Sequence, residues 1–149
     1  MERGDVDEAA RQGVLAGPAV VERALDSSLR ATRLAGIAAA PAVEDRAELL
    51  PALARVAGGA DRRTAIPAAL AARAIARELA ARDALPDDVA RADVDKWRAE
   101  FEKLAKDRER FVEVRVAAVA TAAALGGVDA AAFAAEPDAD VRAAVAAER

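Results

Sequence analysis

The side chains that can take part in covalent or acid–base chemistry are few in this chain of 149 residues. Hydroxyl groups occur at Ser27, Ser28, Thr32, Thr64 and Thr121, but there is no histidine to activate one of them as a nucleophile. There is no cysteine either, which excludes thiol chemistry and a disulfide framework. Carboxylates are common, yet none stands in a sequence context that would shift its pKa. We therefore expect no catalytic residue and no enzyme activity.

Acidic residues cluster around two turns, and carboxylate oxygens are the ligands that hard cations such as Ca²⁺ prefer. The clusters consist of Asp87, Asp88, Glu136, Asp138 and Asp140. Their positions are those of helix caps, and the spacing of a calcium-binding loop is missing. The glycine pairs at 58–59 and 126–127 likewise lack the spacing of a phosphate-binding loop. The sequence predicts neither a metal nor a cofactor.

Arginines recur at regular intervals in the alanine-rich part of the chain. The column consists of Arg30, Arg73, Arg115 and Arg142, with spacings of 43, 42 and 27 positions. These residues can form a basic stripe for an acidic partner, to which Arg33 and Arg77 would belong. Alternatively, each column arginine pairs with a carboxylate of its own turn, because a planar guanidinium suits a carboxylate.

The sequence supports the second interpretation for the column. Asp26 stands four residues before Arg30, and Asp138 stands four residues before Arg142. We therefore predict structural roles for the column and these two aspartates. Arg33 and Arg77 are less easily explained in this way, and we assign them to partner binding.

Trp97 and Phe101 lie at helical spacing in the segment 89–106, together with Val94 and Leu104. Trp97 is a further candidate for partner binding, since tryptophan is enriched at the energetic centres of interfaces. The alternative interpretation, which is the commoner case for a tryptophan and a phenylalanine at this spacing, is that both belong to the core.

The elements that position these residues are predicted to be helices. Hydrophobic residues make up 54% of the chain but aromatic residues only 3%, and most of the apolar content is alanine, the best helix former. No segment alternates as a strand would. The all-α class follows. A helix over residues 5–13 is expected first, and Pro51 is expected to bend a later helix over residues 44–57.

The net charge of −4 argues against general affinity for nucleic acid. No apolar run approaches the length of a membrane span, and the first residues are charged rather than apolar. The compartment therefore stays open, and would be the cytoplasm if Met1 is the native start.

A spacing near forty residues with two helices in each unit is typical of stacked helix pairs. We divide the single domain, 1–149, into units 18–40, 43–83, 87–126 and 128–149. One such pair cannot bury its apolar face alone, so neighbouring pairs must pack against each other.

These units resemble HEAT repeats. The segment Glu48-Leu49-Leu50-Pro51-Ala52-Leu53 is similar to the first helix of that family. The dipeptides Leu29-Arg30, Val114-Arg115 and Val141-Arg142, each after an acidic turn, look like the start of its second helix, and Ala72-Arg73 is a degenerate copy. The resemblance implies an α-solenoid of about four antiparallel helix pairs in a right-handed superhelix, with the second helices on the concave side.

The resemblance implies binding of a protein partner more often than catalysis. We therefore expect a scaffold that binds a partner through its inner helices. One alternative is a nucleic-acid-binding domain with a locally basic groove. Another is a structural segment of a larger protein, because no polar capping helix follows the last predicted one.

Overall fold

A computed structural model describes residues 3–148, except for the side chain of Arg3. These residues form helices joined by short turns, without a strand among them, and the predicted all-α class is confirmed. The helices are α1 (Arg3–Ala16), α2 (Pro18–Leu25), α3 (Arg30–Ala39), α4 (Leu50–Ala57), α5 (Arg62–Ala80), α6 (Arg91–Lys106), α7 (Val112–Leu125) and α8 (Ala139–Ala147).

Two boundaries differ from those predicted. The first helix runs Arg3–Ala16 rather than 5–13, and Gly17, with φ of 92°, separates it from α2. Pro51 does not bend a helix over 44–57: residues Arg46–Leu49 form a 3₁₀ turn, and Pro51 is the second residue of α4. Because the first backbone N–H groups of a helix have no partner within it, a proline there sacrifices no hydrogen bond.

The contacts between helices follow two rows. In the first row α2 contacts α4 and α4 contacts α6, while in the second α3 contacts α5, α5 contacts α7 and α7 contacts α8. Across the rows, α2 packs on α3, α4 on α5 and α6 on α7. Helix α1 packs on α3 and α2 at one end, and a 3₁₀ turn over Ala130–Phe133 packs on α8 at the other.

Alanine allows these helices to approach closely. Helix α5 buries Ala65, Ala68, Ala69, Ala72 and Ala76, whereas bulk in the core comes mainly from residues such as Leu50, Leu53 and Phe101. Helices α2 and α3 are in close contact: a Cβ atom at Gly36 would lie 3.1 Å from the Ala24 Cβ and 3.2 Å from the Leu25 backbone nitrogen. Side chains larger than glycine would separate the two helices there.

Helix α5 has a defined start because Asp61 caps it. The Asp61 carboxylate accepts a hydrogen bond from the backbone N–H of Arg63, 3.1 Å away. This satisfies one of the N–H groups that a helix leaves unpaired at its N-terminus. None of the helices over residues 3–148 is long and apolar enough to cross a membrane.

Candidate functional site

The column arginines do not occupy equivalent positions in their helices. Arg115 and Arg142 are each the fourth residue of their helix, but Arg30 is the first residue of α3 and Arg73 lies deep within α5. The residue equivalent to Arg115 and Arg142 is Arg33 in α3, and in α5 it is Ala65. The helix caps, at Leu29, Asp61, Phe111 and Asp138, are unevenly spaced, so the near-equal spacing of the arginines does not measure a structural period.

Arg30 and Arg33 both face a carboxylate of the next helix pair. The Arg30 Nε donates to Asp61 Oδ2 at 2.7 Å, and the Arg33 Nη2 lies 3.5 Å from the same oxygen. Arg33 also donates to the Ser27 carbonyl at 2.7 Å. The Arg30 hydrogen bond is the main reason that the pKa of Asp61 is lowered. Arg33, which we assigned to partner binding, is therefore half-buried and engaged within the fold.

Arg115 forms the buried counterpart of this contact. Its Nη2 donates to the Glu136 carboxylate, and its Nε donates to the Ala105 carbonyl at 2.8 Å. Both partners of the ion pair are almost inaccessible, with side-chain exposures of 3% and 4%. Glu136 also accepts from the Asp138 backbone N–H at 3.0 Å. Arg115 thus connects α7 to the turn that precedes α8, just as Arg30 connects α3 to the turn that precedes α5.

The ion pairs that we predicted within single turns, Asp26 with Arg30 and Asp138 with Arg142, are replaced by other contacts. Asp26 lies 3.1 Å from Arg55 of the next helix pair, rather than on Arg30. Asp138 caps α8 by accepting from the backbone N–H groups of Asp140 and Val141, at 2.9 and 3.2 Å. Arg142 donates to the carbonyls of Glu136 and Pro137, at 2.9 and 2.8 Å. The reason is that the cap already uses the aspartate, so the arginine finds backbone acceptors in the turn.

Trp97 belongs to the core. Only 8% of its surface is exposed, and Val94 and Phe101 on the same face of α6 are buried with it. The indole packs inside the molecule, and this burial favours the core interpretation over the assignment to partner binding. The core interpretation of Trp97 and Phe101 agrees with their burial.

The solvent-facing side of α5 is the most distinctive surface. It carries, in order, Arg63, Ile66, Leu70, Arg73 and Arg77. Their spacing of three and four residues places all five on one side of the helix. Arg63 and Arg77 are exposed, Ile66 and Arg73 are half-buried, and Leu70 is 41% exposed. We call these five residues the α5 stripe.

Neighbouring helices enclose α5 on its other sides and leave the α5 stripe open to solvent. Helix α4 covers α5 from the first row, and α3 and α7 flank it in the second. The opposite side of α5, including Ile75 and Leu79, is buried against them. Of the two assigned arginines, only Arg77 lies on this surface.

Ion pairing divides the charges around α5 into two groups. Arg62 pairs with Glu113 and stacks 5.4 Å from the Phe111 ring centre, and Glu78 pairs with Arg46 at 2.9 Å. Asp61 is held by Arg30. The three arginines of the α5 stripe have no ion-pair partner among residues 3–148. The stripe therefore presents positive charge that the fold does not neutralise.

Sequence reasoning missed Arg63, Ile66 and Leu70 as members of this face. The signal was present: within α5 the large and charged residues at 63, 66, 70, 73 and 77 follow helical spacing among alanines. It is obscured because Ile75 and Leu79, the other large apolar residues in this part of α5, lie on the opposite side of the helix.

Among the clefts found elsewhere on residues 3–148, two have distinctive linings. One, of about 250 Å³, lies between α5 and the turns around Asp45 and Asp88. The neighbouring Asp88 carboxylate raises the pKa of Asp45, and Asp45 has a left-handed backbone with φ of 56°. The other, of about 380 Å³, is lined mainly by alanine, glycine and valine residues of α1, α2 and α3. Neither has the donor set of a metal site: no group of three acidic side chains within the described range could hold an ion.

No protein-family model, curated protein or solved structure matches this chain. The resemblance to HEAT repeats therefore stays a prediction, supported by residues of this sequence alone.

Proposed function

We propose that this protein is a non-catalytic, protein-binding domain built as a short α-solenoid of the HEAT-like kind. The observation that carries the binding proposal is the α5 stripe, which combines unpaired arginines with an exposed leucine. Arginine is enriched in protein interfaces, and aliphatic surface at their centre contributes binding energy. No arrangement of nucleophile and base competes with this role among the described residues, and the chain has no histidine or cysteine.

The solenoid part of the proposal rests on the order of helix contacts. In each row the contacts run between consecutive helices, and arginines join one pair to the next, as Arg30 with Asp61 and Arg115 with Glu136. A closed bundle would instead bring helices distant in sequence together around one centre. The right-handed superhelix is the form that the family resemblance implies for such a stack.

Site-directed photocrosslinking tests the binding surface. A benzophenone amino acid replaces Ala74, which is exposed on the stripe side of α5, and, in a second variant, Ala99, which is exposed on α6. In an extract of the source cells, the probe at 74 should form a covalent product with another protein that the probe at 99 does not form. Equal products from both positions, or none from position 74, would count against this face.

Nucleic-acid binding remains the second candidate, because the stripe is locally basic. Products from position 74 that disappear on nuclease treatment would support it in place of protein binding.

A further inference from the structure

The α5 stripe has the dimensions of a helix-binding surface. From Arg63 to Arg77 it spans about 21 Å at 1.5 Å per residue, which matches a partner helix of about four turns. Its members recur at intervals of three and four residues, the spacing at which one helix presents a seam to another. Helix α7, which packs on α5, has half-buried side chains at Val116, Ala123 and Ala124 and an exposed glutamate, Glu113, that pairs with Arg62.

The distribution of charge along the stripe specifies the chemistry of the occupant. Arginines stand at both ends, Arg63 at one and Arg73 with Arg77 at the other, and the aliphatic residues Ile66 and Leu70 lie between them. Nearby carboxylates are already neutralised, Asp61 by Arg30 and Glu113 by Arg62. A complementary partner thus needs aliphatic residues near its centre and carboxylates toward its ends.

We propose that the α5 stripe binds an acidic amphipathic helix of a partner protein. Its aliphatic side chains cover Leu70 and Ile66, and its glutamates or aspartates pair with Arg63, Arg73 and Arg77. This inference rests on the proposed function, since it specifies the chemistry of the partner for the same surface. A nucleic-acid backbone is the poorer fit, because it has no aliphatic side chains to cover Leu70 and Ile66, and the chain carries a net charge of −4.

The test uses the full chain and a fluorescein-labelled helical peptide of 18 residues. In this probe, leucines form a seam at intervals of three and four residues, and glutamates flank the seam. Fluorescence anisotropy gives its dissociation constant. A scrambled peptide of the same composition has no seam, and we expect it to bind at least ~10-fold more weakly. Raising the salt concentration from 50 to 300 mM should also weaken binding of the designed peptide, because exposed charges are screened.

Variants of the chain locate the binding surface. Arg73→Glu/Arg77→Glu should weaken binding by ~10-fold or more, because attraction becomes repulsion at one end of the stripe. The control Arg23→Glu/Arg91→Glu makes the same change in net charge at two exposed arginines on α2 and α6, and should change affinity less than ~2-fold. A peptide with lysine in place of glutamate should bind the first double variant better than the wild type. Circular dichroism verifies that both variants are folded.

Each outcome decides the proposal. Equal weakening by the two double variants, equal binding of the scrambled peptide, or displacement of the peptide by duplex DNA at equal charge concentration would overturn the acidic-helix proposal. If the peptide fails while the probe at Ala74 still crosslinks to a protein, the binding surface stands and the proposed partner chemistry is wrong. If neither the peptide binds nor the probe at Ala74 crosslinks to a protein, the proposed function is wrong as well.

Discussion

Arg115 and Glu136 form an ion pair in the interior, between the fourth residue of α7 and the turn that precedes α8. Each also has a backbone partner: the Ala105 carbonyl for the arginine and the Asp138 N–H for the glutamate. This one contact therefore holds the end of α6, the start of α7 and the cap of α8 in a fixed arrangement. The Arg30–Asp61 pair makes the corresponding link on the surface.

Removing the charge of Glu136 should destabilise the protein strongly. Glu136→Gln leaves the buried Arg115 cation uncompensated, and we expect a loss of about 3 kcal/mol in the free energy of unfolding. Arg115→Met/Glu136→Gln should recover all but about 1 kcal/mol, the cost of leaving the Ala105 carbonyl without its donor. Urea unfolding measures both. A double variant less stable than the single one would show that the pair is not coupled.

The same pair predicts a dependence of stability on pH. The Arg115 hydrogen bond lowers the pKa of Glu136 below its ordinary value, so the folded state binds this proton less readily than the unfolded state does. The resulting stabilisation is complete above the unfolded pKa and is lost as the pH falls through the folded one, that is, below about pH 4. The thermal midpoint of Glu136→Gln should therefore fall less between pH 6 and pH 3 than that of the wild type. Parallel curves would contradict this assignment.

Asp61 combines two roles that substitutions can separate. Asp61→Asn keeps an oxygen that can cap α5 but loses the ion pairs with Arg30 and Arg33, whereas Asp61→Ala loses both. We expect the thermal midpoint to fall in the order wild type, asparagine, alanine. The difference between wild type and asparagine should shrink in 1 M NaCl, since exposed ion pairs are screened. If the asparagine and alanine variants unfold together, the cap contributes nothing.

Gly36 marks a close approach of α2 and α3. Gly36→Val should reduce the free energy of unfolding by about 2 kcal/mol, because the new side chain meets Ala24 and the Leu25 backbone. The control Ala38→Val, at an exposed position of the same helix, should cost no more than about 0.7 kcal/mol through its lower helix propensity. Equal losses from the two variants would mean that α2 and α3 are not in close contact.

Much of the fold follows from local sequence rules, and the limits of those rules are equally local. Alanine content predicts helices, and Asp61 and Asp138 are recognisable as caps because a short acidic side chain precedes each helix. The predicted bend at Pro51 was wrong because a proline is compatible with both a bend in a helix and the start of one. Which of the two occurs depends on the 3₁₀ turn before it.

The candidate site was harder to predict for a different reason. Arginine is frequent on these helices, so matching dipeptides gave a spacing between Arg30 and Arg73 that the helix caps do not share. Whether an arginine is engaged, as Arg33 is, or open, as Arg77 is, depends on a carboxylate from another helix pair. Such pairing between distant parts of the chain cannot be read from the spacing within one helix.

Hydrogen exchange of the full chain carrying Val141→Asp tests the central claim, that consecutive helix pairs stack in order, most directly. Val141 is fully buried in α8, and α8 contacts α7 and the 3₁₀ turn before it. In a stack, where each unit depends on its neighbours, protection should be lost in α8 and residues 130–133, reduced in α7 and retained in α2 to α5. A uniform loss of protection from α1 to α8 would instead indicate one closed core and contradict the stacked arrangement.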